Sequence, residues 1–313
     1  MKELNIDFMG YRKIAAILSV ILVLASGISL VVKELNWGLD FTGGSLVEVI
    51  YDQTVQPDLI RQQLEASGYT GHIVQSFGSD RDILIRVPPQ KNLTEQENAR
   101  LGDKIVATLK QSTEGSVELR RSEFVGPAVG EELTNQGGIG MLAALAMVML
   151  YIAFRFQLKF AVGAVVALLH DVIITLGVFS FVGWNFDLTV VAALLAVIGY
   201  SLNDTIVVSD RIRENFRKIR RSNANDIINT SLNQTLGRTI VTSLTTLIVL
   251  LALLFLGGEL IRGFAIGLII GVFIGTYSSI YIAANVLLAL GISKEDLAIP
   301  VKEGADDPDE LMQ

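Results

Sequence analysis

Six long apolar runs, with no proline anywhere in the half of the chain that holds five of them, constrain this fold more than any other feature. The runs cover 14–32, 138–154, 160–182, 186–208, 239–256 and 263–290, and about 20 apolar residues are needed to cross a bilayer core. Between Pro127 and Pro300 nothing breaks a helix. The mean hydropathy of +0.50 is too high for one soluble domain, and it is concentrated in these runs. The expected fold class is therefore an α-helical membrane protein with six transmembrane helices. A cysteine count of zero excludes structural disulfides and thiolate metal sites. No metal, cofactor, enzymatic activity or nucleic-acid partner is expected.

The first run has the positive flank of a signal peptide, Arg12 and Lys13, but it is longer than a typical signal core. No small-x-small pair precedes its exit at Lys33, so it reads as a retained anchor. Sidedness follows from the positive-inside rule. Lys2, Arg12 and Lys13 place the N-terminus in the cytoplasm, and Arg155 and Lys159 mark the turn between the second and third helices. The segment 209–238 carries Arg211, Arg213, Arg217, Lys218, Arg220, Arg221 and Arg238, whereas the short loops on the other side hold only Arg262. Both termini are thus expected in the cytoplasm, with 33–137 outside and 291–313 an acidic cytoplasmic tail.

The external segment is long enough for one small domain. Residues 45–51 alternate like a half-buried strand, and 57–67 have helical spacing. Strands are expected at 72–77 and 82–87 around the turn Gly78-Ser79-Asp80. Thr94-x-x-Glu97 is a capping box that opens a helix to about Lys110, and 116–125 closes with a strand. The order β-α-β-β-α-β is the ferredoxin-like α+β arrangement.

Four motifs stand out. Asp40-Phe41-Thr42-Gly43-Gly44 pairs two glycines, but a phosphate loop opens a helix and here a strand follows, so a turn that launches the strand is expected. The chain has no Gly-Lys dipeptide and hence no Walker A motif, which argues against nucleotide hydrolysis. Asp171, beside His170, and Asp204, beside Asn203, are carboxylates at membrane depth, costing about 2.5–3.5 kcal/mol each on insertion scales. Such groups face protein or a water-filled cavity and mark ion or proton paths, although a hydrogen-bonded structural role is the bland alternative. Arg238 with Thr242, Thr245 and Thr246 forms a polar stripe that would bring the guanidinium inward, within reach of Asp204, instead of leaving it to snorkel. Gly263, Gly267, Gly271 and Gly275 recur every fourth residue and read as a packing face.

Together these stretches resemble the SecF side of the SecD/SecF protein-export family, within the RND-like transporters. The resemblance is carried by Asp40 to Gly44, Val125-Gly126-Pro127, Leu169-His170-Asp171, the block from Gly199 to Val207, Asp210 to Asn215, Arg238 to Ser243 and Gly275 to Ser279. It implies an accessory subunit of the Sec translocase in the bacterial inner membrane. Such a subunit would work with SecD, the SecYEG channel and other Sec accessory proteins to couple the proton gradient to preprotein export. By motif, Asp204 would be the protonatable carboxylate and Arg238 its basic partner, with Asp171, Asn203 and His170 as further proton-coupling candidates. Three alternatives share parts of the pattern. A half-transporter for lipids or small molecules would have larger external domains, an intramembrane aspartyl protease would need Tyr-Asp and Gly-x-Gly-Asp contexts that are absent, and an inert scaffold would bury both aspartates.

Overall fold

The computed structural model describes residues 5–77, 79–90, 92–112, 116–155, 157–219, 222–293 and 296. Lys2, Gly78, Arg220, Arg221 and the acidic tail beyond 296 lie outside the described residues, as does Lys294. In chain order, α1 (Arg12–Val32) leads to a two-residue strand β1 (Asn36–Trp37), a single helical turn α2 (Leu39–Thr42) and β2 (Gly44–Tyr51). Then follow α3 (Pro57–Ala66), β3 (Ile73–Phe77), β4 (Ser79–Val87), α4 (Glu95–Ala99), α5 (Leu101–Ser112) and β5 (Val117–Val125). The remainder is α6 (Pro127–Arg155), α7 (Leu158–Val182), β6 (Asn185–Phe186), α8 (Leu188–Lys218), α9 (Ala224–Leu256) and α10 (Arg262–Ala289). The helices α1, α6, α7, α8, α9 and α10 are each long and apolar enough to cross a membrane.

The α+β domain is a four-stranded sheet of order β3-β4-β2-β5 with every pair antiparallel. Helices α3 and α5 cover one face, because Ile60, Leu64, Leu101, Ile105 and Leu109 recur at helical spacing. They meet the alternate residues Val47, Val49, Ile83 and Ile85 of the central strands. The other face carries Glu48, Asp82, Arg86 and Arg120 and overlooks the membrane helices across a cavity of about 480 Å³ and its neighbour. Several boundaries differ from the sequence expectation. Ser79 and Asp80 belong to strand β4 instead of a turn, and the helix expected from Thr94 to Lys110 divides at Arg100 into α4 and α5. Two more lie by the membrane helices. Helix α6 starts at Pro127, a favoured first helical residue, so 127–137 belongs to a membrane helix and not to the domain 33–137. The segment 209–238 is mostly helix, with α8 running to Lys218 and α9 beginning at Ala224 behind the Asn223 cap. Its polar residues gave no apolar signal, yet the helical hydrogen-bond ladder continues through them.

In the bundle, α7, α8 and α10 form the buried centre, while α1, α6 and α9 are mostly exposed. The glycines of α10 explain the tightest seam. Gly263 faces Val190, Gly267 faces Ala193, Gly271 faces Val197 and Gly275 faces Ser201. Both sets of numbers rise together, so α8 and α10 run parallel with their backbones close, as small residues allow. Residues near the N-terminus close one end of the bundle. The Ile6 and Met9 amides donate to Asn233 and Asn229, Arg12 donates to Asn225, and Lys159 pairs with Asp296. The α+β domain sits at the opposite end.

Candidate functional site

Asp171 is fully buried at the junction of α7, α8 and α10. Its Oδ2 accepts from the Ser201 hydroxyl of α8 at 2.6 Å and the Ser278 hydroxyl of α10 at 2.8 Å. Its Oδ1 lies 2.9 Å from His170 Nδ1. The His170 ring stacks on Tyr277, and the Tyr277 hydroxyl donates to the Ala15 carbonyl of α1 at 2.7 Å. Asp171 therefore binds the three central helices directly and reaches α1 through two rings. Ser201, Ser278 and Tyr277 lie in two of the stretches that carry the family resemblance, but the sequence assigns them no role of their own. The one available signal was that Ser201 and Asp204 share a helix face three residues apart.

Asp204 is also buried, but it is bound differently. Helices α8 and α9 run antiparallel, with Tyr200 donating to Ser243 at 3.1 Å and Asn215 donating to Ser231 at 2.9 Å. That register sets Asp204, one turn beyond Tyr200, opposite Thr239, one turn before Ser243. Asp204 Oδ2, Thr205 Oγ1 and Thr239 Oγ1 are all buried without a hydrogen-bond partner among the described residues. A carboxylate oxygen left unpaired at such depth is costly. The level of Asp204 is thus a small polar cluster with spare donors and acceptors, able to take up a proton or water.

The expected closed pair with Arg238 does not form. Arg238 is exposed, and no ion pair joins it to Asp204 among the described residues. The reason is helical phase. The inward stripe of α9 is Thr235, Thr239 and Ser243, all buried, one residue out of step with Arg238. Thr242, Thr245 and Thr246 instead turn their hydroxyls back onto the carbonyls of Arg238, Val241 and Thr242. Asn203 is likewise exposed on α8.

The Asp40–Gly44 segment forms a third centre where the domain meets the bundle. Leu39–Thr42 is helical, and the chain turns into β2 at Gly43 and Gly44, whose φ of 66° and 117° suit glycine. Asp40 Oδ2 accepts from the Leu188 amide at 3.0 Å, at the start of α8. Strand β1 pairs in parallel with β6, and Trp37 packs its ring edge on Phe41 and Phe186.

Residues 105–293 match the family model of the protein export membrane protein SecD/SecF C-terminal region, and 28–55 match that of the SecD/SecF GG motif. The chain is 51% identical to protein translocase subunit SecF of Vibrio alginolyticus over 97% of this chain and 96% of that one. It is 50% identical to the subunit of the same name from Pseudomonas aeruginosa over 97% of each chain. The structure resembles that of SecDF, a translocon-associated membrane protein from Thermus thermophilus, with a TM-score of 0.82 and 37% identity. The match covers 92% of this chain and 39% of that longer one.

Proposed function

This chain belongs to the SecD/SecF protein-export membrane protein family, and on that premise we propose that it couples the proton gradient to preprotein translocation as a Sec translocase subunit acting with SecD. It is a multi-pass protein of the bacterial inner membrane, oriented by its arginines with both termini in the cytoplasm. SecYEG and the moving preprotein are its further partners in this reading, and strand order supports reading the external domain as ferredoxin-like.

The observation that carries the proton role is the buried, unpaired Oδ2 of Asp204, with Arg238 next to Thr239 on the facing helix α9. Burial disfavours the charged form of a carboxylate and a guanidinium favours it. A helix movement that changes their separation or their hydration therefore changes proton occupancy. One charge crossing 100 mV releases about 2.3 kcal/mol, enough to bias such a movement. Asp171 differs, since two serines already satisfy its Oδ2. In this reading Asp171 and His170 hold the helices around Asp204, and Asn203 lines the approach to it.

The test is gradient-stimulated export into sealed inverted vesicles. Asp204→Asn is near-isosteric and cannot ionise. It should stay in the membrane and bound to SecD yet lose the stimulation, and Arg238→Met should do the same. Asp210→Asn, about one and two-thirds turns further along α8 and breaking only an exposed pair with Arg155, should export normally. Normal gradient dependence in Asp204→Asn would remove the proton role.

A further inference from the structure

The external domain is joined to the bundle covalently through α1 and through the step from β5 into α6, but α8 is reached only across space. The contacts that reach it are dense. The Gly38 amide donates to the Phe186 carbonyl at 2.7 Å, and the first two residues after α1 to form a strand, Asn36 and Trp37, pair with Asn185 and Phe186. A side chain at Gly38 would begin 2.9 Å from Asp187 Cβ, so only glycine allows that approach. Helix α8 already has its own cap, since Asp187 Oδ1 accepts from the Val190 amide at 3.0 Å. The second carboxylate at that helix end, Asp40, comes from far away in sequence and takes the Leu188 amide. The Leu188 amide is one of the donors a helix start leaves without an intrahelical partner, and because its acceptor comes from the domain side this bond ties the end of α8 to that segment.

Arg86 of β4 completes the joint. It lines the cavity between sheet and bundle together with Asp40 and Asp187, and its Nη1 donates to the Trp37 carbonyl at 3.4 Å. Burial lowers its affinity for its proton, and the two carboxylates, Asp187 and then Asp40, oppose that. Its Nε is buried without a hydrogen-bond partner and no ion pair joins it to either acid among the described residues, so the Trp37 carbonyl is the contact that holds it at the joint. From Leu188 the unbroken helix runs to Asp204, about 24 Å at 1.5 Å per residue.

We infer that Asp40 and Arg86 are positioning residues that clamp the external domain to the outer end of α8, so that displacement of the domain reaches the helix carrying Asp204. The functional consequence rests on the proposed export role, but the clamp itself can be measured without it. Spin labels on Glu65→Cys in α3 and Leu260→Cys beside α10 report the domain-to-bundle distance, and the chain has no native cysteine to interfere. In the full chain the distance distribution should be narrow. It should broaden in Asp40→Ala and in Arg86→Met, and unchanged distributions would overturn the clamp whatever export does.

The second arm is a rescue. An Asn36→Cys/Asn185→Cys disulfide, placed on paired residues of adjacent strands, locks the joint covalently. Asp40→Ala should reduce gradient-driven export about tenfold, the scale of one lost hydrogen bond to a charged group. Closing the disulfide should restore it, and reductant should abolish the rescue. Asp40→Asn keeps an acceptor for the Leu188 amide and should lose less. Wild-type export by Asp40→Ala, or an equal loss with the joint locked, would refute a clamping role. The disulfide should leave Asp204→Asn inactive, which separates failure of the clamp from failure of the proton role.

Discussion

Single residues on the α8–α10 seam differ sharply in what they tolerate. Gly271 has no room for a larger side chain, because even a Cβ would press into the isopropyl group of Val197. Gly199, on the outer face of α8, has nothing within 4 Å. Overpacking costs about 1–3 kcal/mol, whereas replacing a mid-helix glycine by alanine gains about 0.5–1 kcal/mol. Gly271→Leu should therefore lower the thermal unfolding temperature of the detergent-solubilised protein, and Gly199→Ala should hold or raise it. Equal behaviour would mean that the glycine stripe does not set helix approach. The same scale separates the aspartates. Asp171 receives two hydroxyl donors from neighbouring helices, whereas Asp204 keeps an oxygen without any. Sequence distance to the membrane centre could not distinguish them, because hydrogen-bond satisfaction depends on which side chains the other helices bring.

Among the elements, the α+β domain has its own core, built from Val47, Val49, Ile83, Ile85, Ile60, Leu64, Ile105 and Leu109, all within 44–125. A fragment of 38–125 should fold as a soluble α+β unit, and a random-coil circular dichroism spectrum at neutral pH would contradict this. Its capping box gives a sharper check. The Thr94 hydroxyl accepts from the Glu97 amide, and the Thr94 amide donates to Glu97 Oε2 at 2.8 Å. Thr94→Ala should cost about 0.5–2 kcal/mol in denaturant unfolding. The Thr94 backbone N–H, helped by the Thr94 hydroxyl, holds the Glu97 carboxyl below its usual value. A carboxyl with a depressed pKa contributes stability that is present above its unfolded pKa and is lost as pH falls through the folded value. The difference between Thr94→Ala and the parent should accordingly shrink in acid. A difference constant with pH would mean that Glu97 plays no part in the cap. This box was readable from Thr94-x-x-Glu97 alone, because a cap is a local interaction.

For the whole molecule, the end of α8 at Lys218, the start of α9 at Ala224 and the contacts of Ile6 and Asp296 lie at one end, and the α+β domain lies at the other. A reporter fused at Gln90 should be periplasmic and one at Asn223 cytoplasmic, and finding both on one side would defeat the six-helix topology. The number of candidate membrane helices, the α+β domain and the buried carboxylates follow from sequence by itself. Each depends on composition or on spacing within one segment, and bilayer thickness and helical pitch are fixed lengths. The phase of α9 was not accessible that way. Packing against α8 turns Thr235, Thr239 and Ser243 inward and so leaves Arg238 outward. Tertiary structure alone also joined Asp40 to Leu188 and Asp171 to Ser278, residues more than a hundred positions apart. Contacts of that kind leave no periodic trace along the chain, because they are decided by how close the glycines of α10 let the helices come and by where the α+β domain comes to rest.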